Sequence, residues 1–128
     1  MKKGKITGIG GVFFKTENPI VTKEWYKNNL GFNTDEWGCT FNWKDINGDT
    51  ATTQWSPFPK NTDYFLPSNK EYMFNYRVEN LTELLQELKA KGITVFEKTE
   101  EFEYGKFGWI MDGDGNKVEL WEPKDDFL

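Results

Sequence analysis

The chain has 128 residues, 16 Lys+Arg against 21 Asp+Glu for a net charge of −5, no histidine and a single cysteine. A chain this long buries roughly two-thirds of its unfolded surface, so one compact domain stands without disulfides or structural zinc, and a lone Cys39 supports neither. An acidic balance offers no basic face to nucleic-acid phosphates, and any histidine-based mechanism is excluded.

No segment approaches the ~20 apolar residues of a membrane span. Met1–Lys5 is followed only by a short apolar run broken by glycines, unlike a secretory signal. A cytoplasmic protein with no nucleic-acid and no membrane partner is the expectation.

In chain order, Ile6–Phe14 reads as a strand. Asn18-Pro19 then opens a helix that Gly31 ends, with Val21, Trp25 and Tyr26 as its inward stripe. Strands follow over 33–36, 40–44 and 50–55, and Asn47-Gly48 marks a hairpin turn. Ser56–Lys70 has three prolines and no periodicity. It reads as a connector, and loops of such length are often functional. Beyond it Glu71–Val78 is a strand. Asn80 caps a second helix, with Glu83 completing a capping box, Leu81, Leu84, Leu85 and Leu88 as its apolar face, and Gly92 as its stop. Strands over 94–98, 107–111 and 117–121 close the chain.

Both halves therefore run strand, helix, strand, strand, strand. Gly11-Val12-Phe13-Phe14 aligns with Met73-Phe74-Asn75-Tyr76, Asn18 with Asn80, and Gly31 with Gly92. The internal repeat divides a single domain, 1–128, into a first βαβββ module (5–56), a connector (57–70) and a second module (71–123).

Among the chemical residues Glu119 stands out. It lies between Val118 and Leu120 on a strand, so it points away from whatever those two pack against. Twenty-two aromatic residues, six of them tryptophan, are a heavy load for so small a domain, and aromatic walls are common in ligand cavities. Asp112-Gly113-Asp114-Gly115-Asn116 fails as a calcium loop because Lys117 and Pro123 stand where glycine and glutamate are required; it is a turn. Gly8-Ile9-Gly10-Gly11 lacks the Gly-Lys-Ser/Thr ending of a phosphate loop and signals close backbone packing. Cys39, without a histidine partner, reads as a small buried hydrophobe.

The paired modules, the opening GIGGVFFKTENPIVTKEWYKNNLGF and the closing EYGKFGWIMDGDGNKVELWEP together resemble the vicinal oxygen chelate superfamily of glyoxalases, bleomycin-resistance proteins and extradiol dioxygenases. The resemblance spans Ile6 to Pro123 and is closest to small bacterial glyoxalase-family proteins. It implies an α+β fold, two βαβββ modules forming a cup-shaped, eight-stranded mixed sheet with the site inside the cup. In metal-using members four ligands come from the first and last strands of each module. Those positions fall here on Gly11, on Thr53 or Gln54, on Met73 and on Glu119. Glycine offers no donor and a thioether is a poor ligand for hard or borderline divalent metals, while catalytic zinc takes three protein ligands. No cofactor is therefore expected; a divalent metal, were one bound, would take Gln54 and Glu119.

Strand alternation places Gly11, Phe13, Met73, Asn75, Arg77, Lys117, Glu119 and Trp121 on the cup side. The expected ligand-binding residues are Phe13, Trp43, Trp55, Met73, Asn75, Arg77, Tyr104, Trp109 and Trp121, with Glu119 as the candidate catalytic group. Three uses remain open: metal-free binding of a small, partly aromatic or hydrophobic molecule; a glyoxalase-type lyase or isomerase working through Glu119 with a non-standard metal site or none; and an interaction module whose cup is filled with side chains. A homodimer is expected by analogy with the family.

Overall fold

The computed structural model of the chain describes residues 3–124, so the outermost ends of the 1–128 domain lie outside the described residues. Its elements are β1 (Lys5–Thr16), α1 (Pro19–Leu30), β2 (Thr34–Asp35), β3 (Gly38–Lys44), β4 (Thr50–Pro59), β5 (Tyr72–Glu79), α2 (Leu81–Ala90), β6 (Glu100–Phe102), β7 (Gly105–Met111) and β8 (Lys117–Pro123). The strands form one open mixed sheet in the order β2-β3-β4-β1-β5-β8-β7-β6. Each half has the same wiring: its first strand runs parallel to its last, β1 to β4 and β5 to β8, and its last pairs antiparallel with the strand before it. β1 and β5 join the halves antiparallel at the centre. This is the α+β, two-module βαβββ architecture read from the sequence.

Both helices cover one face of the sheet. α2 buries Leu81 against Val78, Val118 and Leu120, with Leu84, Leu85 and Leu88 at the edge of the cluster. Burying an aliphatic side chain of this size stabilises by about 1.5–3 kcal/mol, and the regular leucine spacing directs that gain to one stripe. α1 begins as read: Asn18 Oδ1 accepts from the amides of Ile20 and Val21, and Gly31 closes it at φ 73°. Its inward stripe differs. Val21 and Trp25 are more than half exposed, and Tyr26 alone of the three packs down, 4.6 Å from the Trp55 ring and 5.0 Å from Phe32. Neighbouring helix residues point about 100° apart, so seating Tyr26 on this aromatic bed turns Trp25 outward.

Three local readings are corrected. The 94–98 strand is reduced to one bridge, Val95 to Ile110, and the edge strand is β6, later in the chain. It pairs with the start of β7 while the bridge takes the end of β7. Asn80 makes no side-chain cap. It sits at φ 58°, and Glu122 Oε1 on β8 accepts from the Leu81 amide instead, at 2.9 Å. β4 runs to Pro59, three residues past the expected module boundary.

The other face of the sheet is concave. Residues of β2 and β6, at its two ends, line the same cavity, so the sheet curls into a cup. The connector folds over one side of this cup: Phe65 is fully buried against Phe13 and Met73, with Phe58 and Tyr64 beside them.

Candidate functional site

The floor of the cup is a row across four strands. Gln54 on β4 is level with Gly11 on β1, Gly11 with Asn75 on β5, and Asn75 with Glu119 on β8. Of Thr53 and Gln54, it is Gln54 that stands on this row. Thr53 is occupied elsewhere, with Oγ1 donating to the Ile9 carbonyl and accepting from Trp43 Nε1. On β5 the residue of the row is Asn75, while Met73 is level with Phe13.

Glu119 is 3% exposed and receives three donors. Asn75 Nδ2 reaches Oε1 at 2.6 Å, Trp109 Nε1 reaches Oε2 at 3.0 Å, and the Tyr64 hydroxyl makes a short bond to the same Oε2. Burial pushes the Glu119 pKa above its ordinary 4.5, and these donors with the nearby Lys117 pull the other way without overcoming it. Burial, followed by the charge of Glu119, pushes the Tyr64 hydroxyl pKa upward as well. Lys117 stands beside this pair. Its Nζ donates to the Tyr64 carbonyl at 2.7 Å and lies 5.1 and 5.2 Å from the Tyr64 and Phe96 rings. Burial lowers its pKa.

Gly10 has a specific reason to be glycine. A Cβ there would overlap Asn75 Oδ1 and come within 3.1 Å of Arg77 Cγ and the Trp121 ring.

Over this floor lies a cavity of about 760 Å³ with largely aromatic walls. Of the residues expected to bind a ligand, Phe13, Asn75, Tyr104, Trp109 and Trp121 line it, together with Gln54 and Glu119. Four do not. Trp55 belongs to the helix face, packed on Phe14, Tyr26 and Phe32. Met73 is sealed under Phe65. Arg77 and Trp43 line a separate cavity of about 700 Å³, where the Arg77 guanidinium lies 5.0 Å from the Trp121 ring and 5.9 Å from Trp43 and donates to the Thr52 carbonyl. For Trp55 the reason is strand parity, since it neighbours the cup-facing Gln54 and so faces the other way. For Met73 it is the connector, which fills that side of the cup.

Sequence reasoning missed several lining residues. Tyr64 and Phe58 come from the connector, and their only signal was its length and aromatic content. Trp37, Asp35 and Glu36 follow β2 on one rim; Glu100 and Phe102 of β6 form the other.

The donor set does not fit a catalytic metal. Among the described residues no group of three His, Cys, Asp or Glu side chains converges. Glu119, the one carboxylate on the floor row, is ringed by an O–H and two N–H groups whose positive ends face the position an ion would take.

No protein-family profile matches the sequence, and no curated protein matches it. Solved structures match its fold. Methylmalonyl-CoA epimerase from Mycobacterium tuberculosis is similar at 20% identity and TM-score 0.64, over 95% of this chain and 91% of its own. A Streptomyces coelicolor methylmalonyl-CoA epimerase in complex with 2-nitronate-propionyl-CoA is similar at 15% identity and TM-score 0.70, over 93% and 99%. A glyoxalase/bleomycin resistance protein/dioxygenase superfamily member from Vibrio splendidus is similar at 13% identity and TM-score 0.57, over 91% and 98%. The chain thus has the vicinal oxygen chelate fold. No helix among the described residues is long and apolar enough to cross a membrane.

Proposed function

We propose that the protein is a metal-free binder of a small, partly aromatic molecule, held in the cup of its sheet. The observation that carries this reading is the floor itself. An aromatic cavity of about 760 Å³ ends on a buried carboxylate that accepts from Tyr64, Asn75 and Trp109. Its size lies within the range of drug-sized ligand sites, in which apolar walls supply area and a few fixed polar groups supply orientation. Trp109 and Trp121 line it, so an occupant changes their emission. The test is elemental analysis of protein purified without chelator or metal resin, followed by titration with small aromatic probes read by tryptophan fluorescence. Less than about a tenth of an equivalent of metal, with saturable quenching weakened by Trp121→Leu, is the expected result. A divalent metal near one per chain overturns the reading.

A second reading, a lyase or isomerase of glyoxalase type, is favoured by one contact: the short bond between Tyr64 and the buried Glu119. A carboxyl group whose pKa is raised by burial suits proton transfer near neutral pH. On this reading Glu119 takes a proton from a carbon next to a carbonyl, and Tyr64 and Trp109 hold its orientation. The epimerase names of two fold neighbours describe those proteins. For this chain the check is deuterium exchange into a panel of small carbonyl compounds in D2O, lost in Glu119→Gln.

A further inference from the structure

We propose that the occupant of the cup is an aromatic organic cation. The inference rests on the binding reading above and adds the charge of the ligand.

Four carboxylates line the cavity, Asp35, Glu36, Glu100 and Glu119, and among the described residues no lysine or arginine does. Asp35 and Glu36 are exposed and Glu100 half-buried, and Asp35 Oδ1 accepts from the Trp37 and Gly38 amides. Asp35 and Glu36 adjoin Trp37 on one rim. Glu100 lies on the other rim with Phe102 and Tyr104, whose rings stack at 5.2 Å and 10°. The two rims come from the opposite ends of an eight-stranded sheet, so curvature brings the same pairing of acid and ring to both sides of one mouth. Between them the wall rings of Phe107 and Trp121 lie parallel, 6.0 Å apart at 5°. Ring faces and carboxylates both attract positive charge, and a ring-walled mouth is the usual receptor for a diffuse organic cation.

The floor has the same polarity. Asn75 is 2% exposed, and its Oδ1 is a buried acceptor with no hydrogen-bond partner, set against Gly10 where both residues line the cavity.

The cations beside the cavity each have partners of their own: the Arg77 guanidinium lies 5.0 Å from the Trp121 ring and donates to the Thr52 carbonyl. Lys117 donates to the Tyr64 carbonyl, and Lys23 donates to the backbone carbonyls of Asp35 and Glu36 at 3.2 and 3.1 Å, not to their carboxylates. Lys98 stands 3.8 Å from Glu100 in an exposed pair, which water and salt leave weak. The donors around Glu119 compete with a metal ion for the carboxylate oxygens. They do not oppose a ligand whose charge rests among the rim rings.

The test is isothermal titration calorimetry at pH 8 with three bicyclic probes of matched size: N-methylquinolinium, quinoline and 2-naphthoate. Wild-type protein is compared with a Glu36→Gln/Glu100→Gln double variant whose denaturation midpoint is measured alongside. The expected result is an affinity order of cation, neutral, anion, spanning tenfold or more and narrowing as salt screens the rim. The double variant is expected to lose most of that span while keeping its affinity for quinoline. Equal affinities for the three probes, or a span that survives the double substitution, overturn the cation inference and leave the binding reading standing. Absence of heat from all three up to millimolar concentration overturns the binding reading and the inference with it.

Discussion

Glu119 tolerates its depth because each of its donors arrives from a different segment: Tyr64 from the connector, Asn75 from β5 and Trp109 from β7. The balance still favours the protonated form, since burial raises its pKa above 4.5. A group whose folded pKa is raised contributes stability that is full below the unfolded value and is lost as pH rises through the folded one. Glu119 therefore makes the protein less stable as pH climbs above about 4.5, with a slope approaching 1.4 kcal/mol per pH unit until its folded pKa is passed. Urea midpoints taken from pH 4.5 to 9 on wild type and Glu119→Gln should show this slope as the difference between the two curves; parallel curves would refute it. Tyr64→Phe keeps the ring stacked on Phe58 and removes one donor to a charged acceptor, a loss of about 1.5–3 kcal/mol at pH 8 that shrinks at pH 5. Gly10→Ala forces Asn75 and Trp121 aside and should cost about 1–3 kcal/mol with a shift in tryptophan emission. The face on which Glu119 lies was legible, because period-two alternation fixes it. Its partners were legible in part. Asn75 and Trp109 were among the expected ligand-binding residues, whereas Tyr64 sits 55 residues away in a segment with no periodicity.

At the level of elements, the two helices separate what a local signal can promise from what tertiary contacts decide. The start of α1 follows its sequence, because the Asn18 cap needs only its own next three residues. The start of α2 carries an equally good local signal, Asn80 with Glu83, and does not use it. The orphan amide of Leu81 finds Glu122 on β8, and Asn80 turns to the Lys3 carbonyl instead. Glu122→Ala should therefore cost about 1 kcal/mol, the usual value of a lost helix cap, and Glu83→Ala no more than about 0.5 kcal/mol from the first-turn dipole. Thermal melts of the two variants decide, and the reverse order would restore the capping box. The expected 94–98 strand is likewise decided by tertiary contacts: it keeps one bridge, Val95 to Ile110, while β6 pairs with the start of β7.

Over the whole molecule, the order of strands fixes what is rigid. β3, β4, β1, β5, β8 and β7 have a partner on each side, while β2 and β6 each have a single partner. Amide exchange should be slowest in the first group and fastest at the two edges, where opening costs least. Both edges line the mouth of the same cavity, so a bound molecule should slow β2 and β6 together although six strands lie between them. Protection of one edge alone would place the ligand outside the cup. The repeat made the two-module architecture readable from the sequence, and the cup was what the family resemblance implied. The contribution of β8 to the floor has a bearing on synthesis. A ribosome that has released the chain through β5 has exposed Gln54, Gly11, Tyr64 and Asn75, but neither Trp109 nor Glu119. A nascent chain thus carries part of the floor and one rim, and the acid that organises Tyr64 and Asn75 emerges after both. On the proposed binding role, recognition of a small molecule begins only when the last strand has docked, so such a molecule would trap chains that have already folded and leave the rate of reaching that point unchanged.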